Sequence, residues 1–139
     1  MASSEKIRIP QKPPMVMVDR IISSEERVTV TSFLIRGDNV FCDNGFFREP
    51  GIIENIAQSA AAGIGATALN TDKEPEPGFI GAIRDLRIYK LPKTGDEITT
   101  RITVTHEIFN ATVVNSTTML GFEVIAVCEL RIFLEQKPS

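Results

Sequence analysis

The chain has 139 residues, 42% of them hydrophobic, and its 15 Lys and Arg against 18 Asp and Glu leave a formal net charge of −3. That length suits one domain, 1–139, with a core of its own. The composition and near-balanced charge exclude both a disordered chain and a strongly basic nucleic-acid binder.

Residues 1–14, MASSEKIRIPQKPP, are polar and punctuated by proline, so they read as an extended N-terminal arm. They lack the apolar stretch of a secretory signal, and the expected localisation is the cytoplasm. Two β-branched runs, 16–22 and 27–35, flank Ser23-Ser24-Glu25-Glu26 and predict strand, turn, strand. Gly37-Asp38-Asn39 breaks the second run and leads through a loop to a helix over 50–69. Pro50 suits the first helical turn, where its missing N–H is no loss, and Glu49 complements the positive end of the dipole. Apolar and small residues go nearly all round this helix, the pattern of one enclosed by protein. Its glycines, alanines, Asn55, Gln58 and Glu54 exclude a membrane span.

The stretch 70–77, with two prolines, reads as an exposed connector, and everything after it reads as strand. Strands are predicted near 79–89, over 98–108, over 111–120 and over 122–135, with Leu120-Gly121 as a turn. Ile98, Ile102, Val104 and Ile108 are expected on one face of their strand. Phe122, Val124, Ala126, Cys128, Leu130, Ile132 and Leu134 are expected on one face of theirs. Two strands, one long helix and four strands are satisfied by an antiparallel sheet curled around the helix. Cys42 and Cys128 are too few and too far apart for a disulfide framework and read as thiols. The sequons at Asn110 and Asn115 mean nothing without secretion.

Three stretches in order carry a resemblance: IPQKPPMVMVDRI (9–21), DNVFCDNGFF (38–47) with ENIAQSAA (54–61), and GFIGAIRDLRIYKLPKTGDEI (78–98). The V-D-R, E-x-x-A-Q and P-x-x-G-D patterns in them resemble the 3-hydroxyacyl carrier-protein dehydratase superfamily, in its branch of dehydratase-like proteins that accompany fatty acyl or polyene biosynthesis. The resemblance implies an α+β hot dog fold, an antiparallel sheet wrapped around one long central helix. It also implies a substrate carried on phosphopantetheine, with no other cofactor and no metal.

Eliminating water from a 3-hydroxyacyl thioester requires proton transfer at carbon, a donor to the thioester oxygen and protonation of the departing hydroxyl. By the resemblance, Glu54 takes the position of the acid on the helix, and Gln58 lies one turn further along. Gly51 and Ile52, at the helix start, are expected to offer N–H groups to the carbonyl. Asn44, Phe46 and Phe47 in the preceding loop are expected to line the substrate. In the dehydratases a histidine lies in that loop, in a G-H-F pattern; here the loop reads Gly45-Phe46-Phe47, and Pro10-Gln11-Lys12 stands where the related branch reads P-H-R. His106, the chain's one histidine, falls on the even, apolar face of its strand and reads as a hydrogen-bonded core residue. It replaces the missing partner only if the strand passes the helix start.

Asp43 with Asn44 reads first as a turn, and as a polar contribution to the site second. Cys42 reads as a small buried thiol in preference to a nucleophile. Arg84, Arg87, Lys90 and Lys93 form a basic run, either a solvated strand edge or a landing place for an acidic carrier. Three readings stay open: a dehydratase-type lyase using Glu54, an inactive acyl-binding or partner subunit completing an active dehydratase as a heterodimer, and a hot dog thioesterase in which Glu54 activates water. The expected partners are an acyl carrier protein or a CoA thioester, and a second protomer. A homodimer or dimer of dimers would hide open sheet edges and place an acyl tunnel at the interface.

Overall fold

The structure is a computed structural model that describes residue 7 and residues 9–70 and 78–134. The connector at 71–77, the first six residues of the arm and the end of the last predicted strand lie outside the described residues.

Six strands form one antiparallel sheet: β1 (Arg20–Glu25), β2 (Val28–Leu34), β5 (Gly78–Ile88), β6 (Glu97–Ile108), β7 (Ala111–Leu120) and β8 (Glu123–Leu134), in the order β1-β2-β6-β7-β8-β5. Between β2 and β5 come a two-stranded hairpin, β3 (Cys42–Asp43) and β4 (Phe46–Phe47), and one helix, α1 (Glu49–Asn70). This is the hot dog architecture expected of the sequence, with the helix within a residue of its predicted ends. Among the described residues no helix is long and apolar enough to cross a membrane.

The sheet encloses one broad face of α1. Ile52, Ile56 and Ala60 meet Phe33, Ile98, Ile102, Val114 and Leu130 in the core. The opposite stripe, Ile53, Ala57 and Ala61, is only half-buried. The helix is therefore not enclosed all round within one chain, because a sheet can cover only one side of it. Its buried face also holds polar groups that an apolar reading of the helix passes over. Ser59 Oγ donates to the Asn55 carbonyl at 2.7 Å and pairs with Thr31 Oγ1 at 2.7 Å. Thr100 Oγ1 donates to Asn55 Oδ1 at 2.6 Å and lies 3.0 Å from Thr118 Oγ1. Buried hydroxyls and amides persist in a core when each has a partner, as these do.

Four expectations are corrected. The first strand begins at Arg20, not at residue 16, and Ser23–Glu25 belong to it, leaving Glu26-Arg27 as the turn. An edge strand tolerates those polar residues, and Glu26 supplies the positive φ of 38° that a tight hairpin needs. The arm is not extended throughout: Met15 N–H donates to the Lys12 carbonyl at 2.9 Å, closing a turn over the cis Pro13–Pro14 peptide. Strict alternation fails at two β-bulges, where one extra residue flips every later side chain to the other face. In β6 the pairing jumps from Val104 to His106, which leaves His106 and Ile108 exposed. In β8 the extra residue is Ile125, buried beside Ala126, which leaves Val124 exposed; Phe122 is exposed in the hairpin turn, which is Gly121-Phe122 and not the expected Leu120-Gly121.

Candidate functional site at the helix start

The loop before α1 is a hairpin built by Asn44-Gly45, whose φ values of 52° and 82° are both positive, as a two-residue hairpin turn of this kind demands. Its second strand is fixed from the side. Phe47 N–H donates to the Pro92 carbonyl and Thr94 N–H to the Gly45 carbonyl, both at 2.9 Å. The P-x-x-G-D stretch that accepts it is a turn of its own: Gly95 has φ 93° and Asp96 Oδ2 accepts from Lys93 N–H at 2.8 Å. Asp19 of the V-D-R stretch accepts from Leu34 N–H at 2.7 Å and from Arg36 at 3.0 Å. These two patterns frame the site and touch none of its chemistry.

Phe47 turns inward, fully buried, and its ring meets Phe33 with centroids 5.8 Å apart. Gly51 packs directly on it: a Cβ there would stand 2.5 Å from the Phe47 ring and 2.8 Å from Phe41 Cβ. The glycine lets the hairpin, and not a ligand, approach the helix start. Gly51→Ala is accordingly expected to destabilise the fold by about 1–3 kcal/mol through overpacking, read as a lower urea midpoint at unchanged slope.

The amides of the first turn are also committed. Gly51 N–H and Ile52 N–H both donate to the Arg48 carbonyl, at 2.9 and 3.3 Å. The two N–H groups expected to hold a carbonyl are therefore already engaged within the helix.

Glu54 is half-buried on the flank of the uncovered stripe, and its Oε2 accepts from Gln58 Nε2 at 3.0 Å. Gln58 is fully buried and uses its whole amide: Nε2 also donates to the Met15 carbonyl at 2.8 Å, and Oε1 accepts from Met17 N–H at 2.6 Å. Asn55 completes the grip, Nδ2 donating to the Met17 carbonyl at 2.7 Å. The E-x-x-A-Q pattern thus straps the segment before β1 onto the helix, and the same glutamine orients the carboxylate. Sequence reasoning placed Glu54 and Gln58 on one face but missed Asn55 and the Met15–Met17 backbone, because their contacts join residues about forty positions apart.

Of the other expected residues, Asn44 and Phe46 are exposed. Phe46 lies under Lys93 Nζ, which sits 5.8 Å from the ring centroid, a cation–π distance. Ile52 and Phe47 are enclosed with Gln58 in the interior. Asp43 is exposed in the hairpin. Cys42 is half-buried, and burial pushes its thiol up, away from the thiolate a nucleophile needs. Cys128 is buried and its thiol is likewise raised by burial, against the lowering effect of its hydrogen bond with Ser116.

His106 is neither a core residue nor a member of this site. It is exposed beyond the β6 bulge, Nδ1 3.2 Å from Thr105 Oγ1. The helix start is tied to the Pro92–Asp96 turn that leads into β6, about 30 Å of strand away from His106 at ~3.4 Å per residue. His106→Ala is expected to leave stability within about 0.5 kcal/mol of wild type, measured by thermal or urea unfolding.

The fold is shared widely. The dehydratase heterocomplex ApeI:P from Xenorhabdus doucetiae superposes with a TM-score of 0.83 at 15% identity, over 93% of this chain and 89% of that one. The protein smu.793 from Streptococcus mutans UA159 bound to acetyl CoA gives 0.71 at 16%, over 96% and 97%. A hypothetical thioesterase protein with coenzyme A from Streptococcus pneumoniae TIGR4 gives 0.70 at 11%, over 86% and 88%. At such identities these likenesses establish the fold alone. No curated protein matches the chain in sequence. The sequence itself matches the ApeP-like family, described as ApeP dehydratase, over residues 5–137. This chain therefore belongs to the ApeP-like dehydratase family.

Proposed function

We propose that this dehydratase-like protein works in the elimination of water from 3-hydroxyacyl thioesters during polyene or fatty acyl biosynthesis, as one subunit of a heterodimer with an active dehydratase. The observation that carries the reading is the Glu54 carboxylate, the one acid inside α1 beyond its first turn, held by Gln58 at the border of an uncovered apolar stripe. A carboxylate so placed can take the proton from the carbon next to the thioester carbonyl. The electron pair of that C–H bond becomes the new carbon–carbon double bond as the C–O bond to the hydroxyl breaks. The proton then passes to the departing hydroxide, which leaves as water.

Two further needs of the reaction point to a partner. The loop presents no histidine, and His106 stands at the wrong end of β6. The Gly51 and Ile52 amides donate to the Arg48 carbonyl, which favours a partner chain as the source of the donor to the thioester oxygen. The heterocomplex with which the fold superposes supports a dehydratase partner for this chain. The acyl chain would lie along Ile53, Ala57 and Ala61 once a partner roofs them, its thioester carried by an acyl carrier protein or CoA. The compartment is the cytoplasm, in keeping with two cysteines that stay unpaired.

A second reading, in which the chain only supports its partner's site, is favoured by the same missing histidine. Turnover of a 3-hydroxyacyl carrier substrate is measured for this chain alone, for a histidine-bearing partner dehydratase alone, and for the two together, and repeating the last with Glu54→Gln separates the readings. The proposal expects the pair to exceed either component; a partner equally active without this chain rules it out. The thioesterase alternative predicts free acid and free carrier thiol as products in the same assay, where dehydration leaves the thioester intact.

A further inference from the structure

The covered and uncovered rows of α1 are nearly interchangeable. Ile52, Ile56 and Ala60 face the core; Ile53, Ala57 and Ala61, each one position on and about 100° round the helix, form the uncovered row. Burial of apolar surface is non-directional, so it scarcely prefers one azimuth of this helix to its neighbours. The direction comes from polar groups beneath it.

Thr31, Thr100 and Thr118 stand in one row across β2, β6 and β7, paired in register and at most 1% exposed. Counting protons fixes which way their hydroxyls point. The Asn55 amide nitrogen faces the Met17 carbonyl, which can only accept, so Oδ1 faces Thr100. Thr100 has one hydroxyl proton and gives it to Asn55, so Thr118 must donate to Thr100. Ser59 gives its own proton to the Asn55 backbone carbonyl, so Thr31 must donate to Ser59. Two relays, one from β7 and one from β2, thus converge on the residue next to Glu54. Valine has the shape of threonine, and an apolar pair in place of a hydrogen-bonded one can be nearly neutral for stability. What the hydroxyls add is direction.

We propose that Asn55 and Thr100 are positioning residues that fix the azimuth of α1 against the sheet and so aim the Glu54 carboxylate at the substrate. A turn of about 20° at a radius of about 5–6 Å carries the end of a side chain through roughly 2 Å. A misplacement of about 1 Å is enough to cost ~10²-fold in rate. Without the Thr100 hydroxyl, Asn55 Oδ1 loses the partner that holds this side of the helix to β6, and Glu54 swings with it.

The inference rests on the reading of Glu54 as the group that moves the proton. Its test compares kcat and KM of the assembled heterodimer, and the unfolding midpoint of this chain, for wild type, Thr100→Val and Thr100→Ser. Thr100→Val is expected to lower kcat by about 10–10²-fold with KM near wild type. Thr100→Ser keeps the hydroxyl and gives up a buried methyl, so it is expected to lower the unfolding midpoint and leave kcat close to wild type. In a Glu54→Gln background, Thr100→Val is expected to cost nothing further, since both changes act through one group. An unchanged kcat in Thr100→Val, a kcat that follows the midpoint in both variants, or a full Thr100→Val loss added to that of Glu54→Gln overturns the proposal. Should Thr100→Val not fold, Thr118→Val against Thr118→Ser carries the same comparison, because Thr118 supplies the donor behind Thr100. A second readout is independent of turnover: the side-chain amide signal of Gln58, whose bonds go to Glu54, Met15 and Met17. It is expected to shift in Thr100→Val and stay in place in Thr100→Ser; a signal unmoved in both overturns the proposal. If Glu54→Gln leaves the pair fully active, the reading of Glu54 fails and this signal alone decides whether the helix has turned.

Discussion

Glu54→Gln is expected to lower the rate of water elimination by the assembled heterodimer by about 10²–10⁴-fold, the usual weight of a positioned acid–base group. The substitution keeps the length and shape of the side chain, and its new amide oxygen can still accept from Gln58, so the strap and the helix packing stay in place. What disappears is the ability to accept a proton from carbon. A loss confined to kcat, with KM and the unfolding midpoint near wild type, identifies an interaction made only in the transition state. Full activity in the assembled pair would show instead that the proton travels through the partner alone and that this chain supplies only surface.

The second large effect concerns stability. Gln58→Leu deprives the buried Met17 amide and the part-buried Met15 carbonyl of their partners. A buried polar group left unpaired costs about 1–3 kcal/mol, so the Met17 amide predicts a loss of about that size in urea unfolding, to which the part-buried Met15 carbonyl adds less. Hydrogen exchange at Met17 should accelerate together with its neighbours before β1. Gln58→Glu separates the two duties of this side chain: it keeps an acceptor for Met17 N–H and places a second carboxylate beside Glu54. Two like charges at this distance disfavour double ionisation and raise one of the two carboxyl groups. The acid limb of the pH–rate profile is then expected to move to higher pH, an effect that a purely structural glutamine would not produce.

The element plan was legible because it is written locally. The helix is announced by Pro50 and the small-residue run after it, the late strands by period-two alternation, the hairpin turn by Asn44-Gly45. Glu54 was legible as an isolated carboxylate in an apolar helix. The bulges at Thr105 and Ile125 were not, since nothing in β6 or β8 marks which residue is surplus until a neighbouring strand is laid against it. That uncertainty misplaced His106, Ile108 and Val124. Gly51 was misread for a related reason: a glycine at a helix start suits a ligand or a side chain equally well, and only the position of Phe47 and Phe41 decides between them. The hydrogen-bond partners of Gln58 and Asn55 were hidden because they are backbone groups, which carry no residue-specific signal.

The strap across Met15–Met17 divides the helix into two kinds of inheritance. Asn55, Gln58 and Ser59 answer to the architecture, and a change at any of them is felt through the interior before it reaches a substrate. Ile53, Ala57 and Ala61 owe nothing to that architecture, so their bulk can drift generation by generation. Chain-length preference can therefore evolve along one row of this helix while the other row holds the protein to its shape.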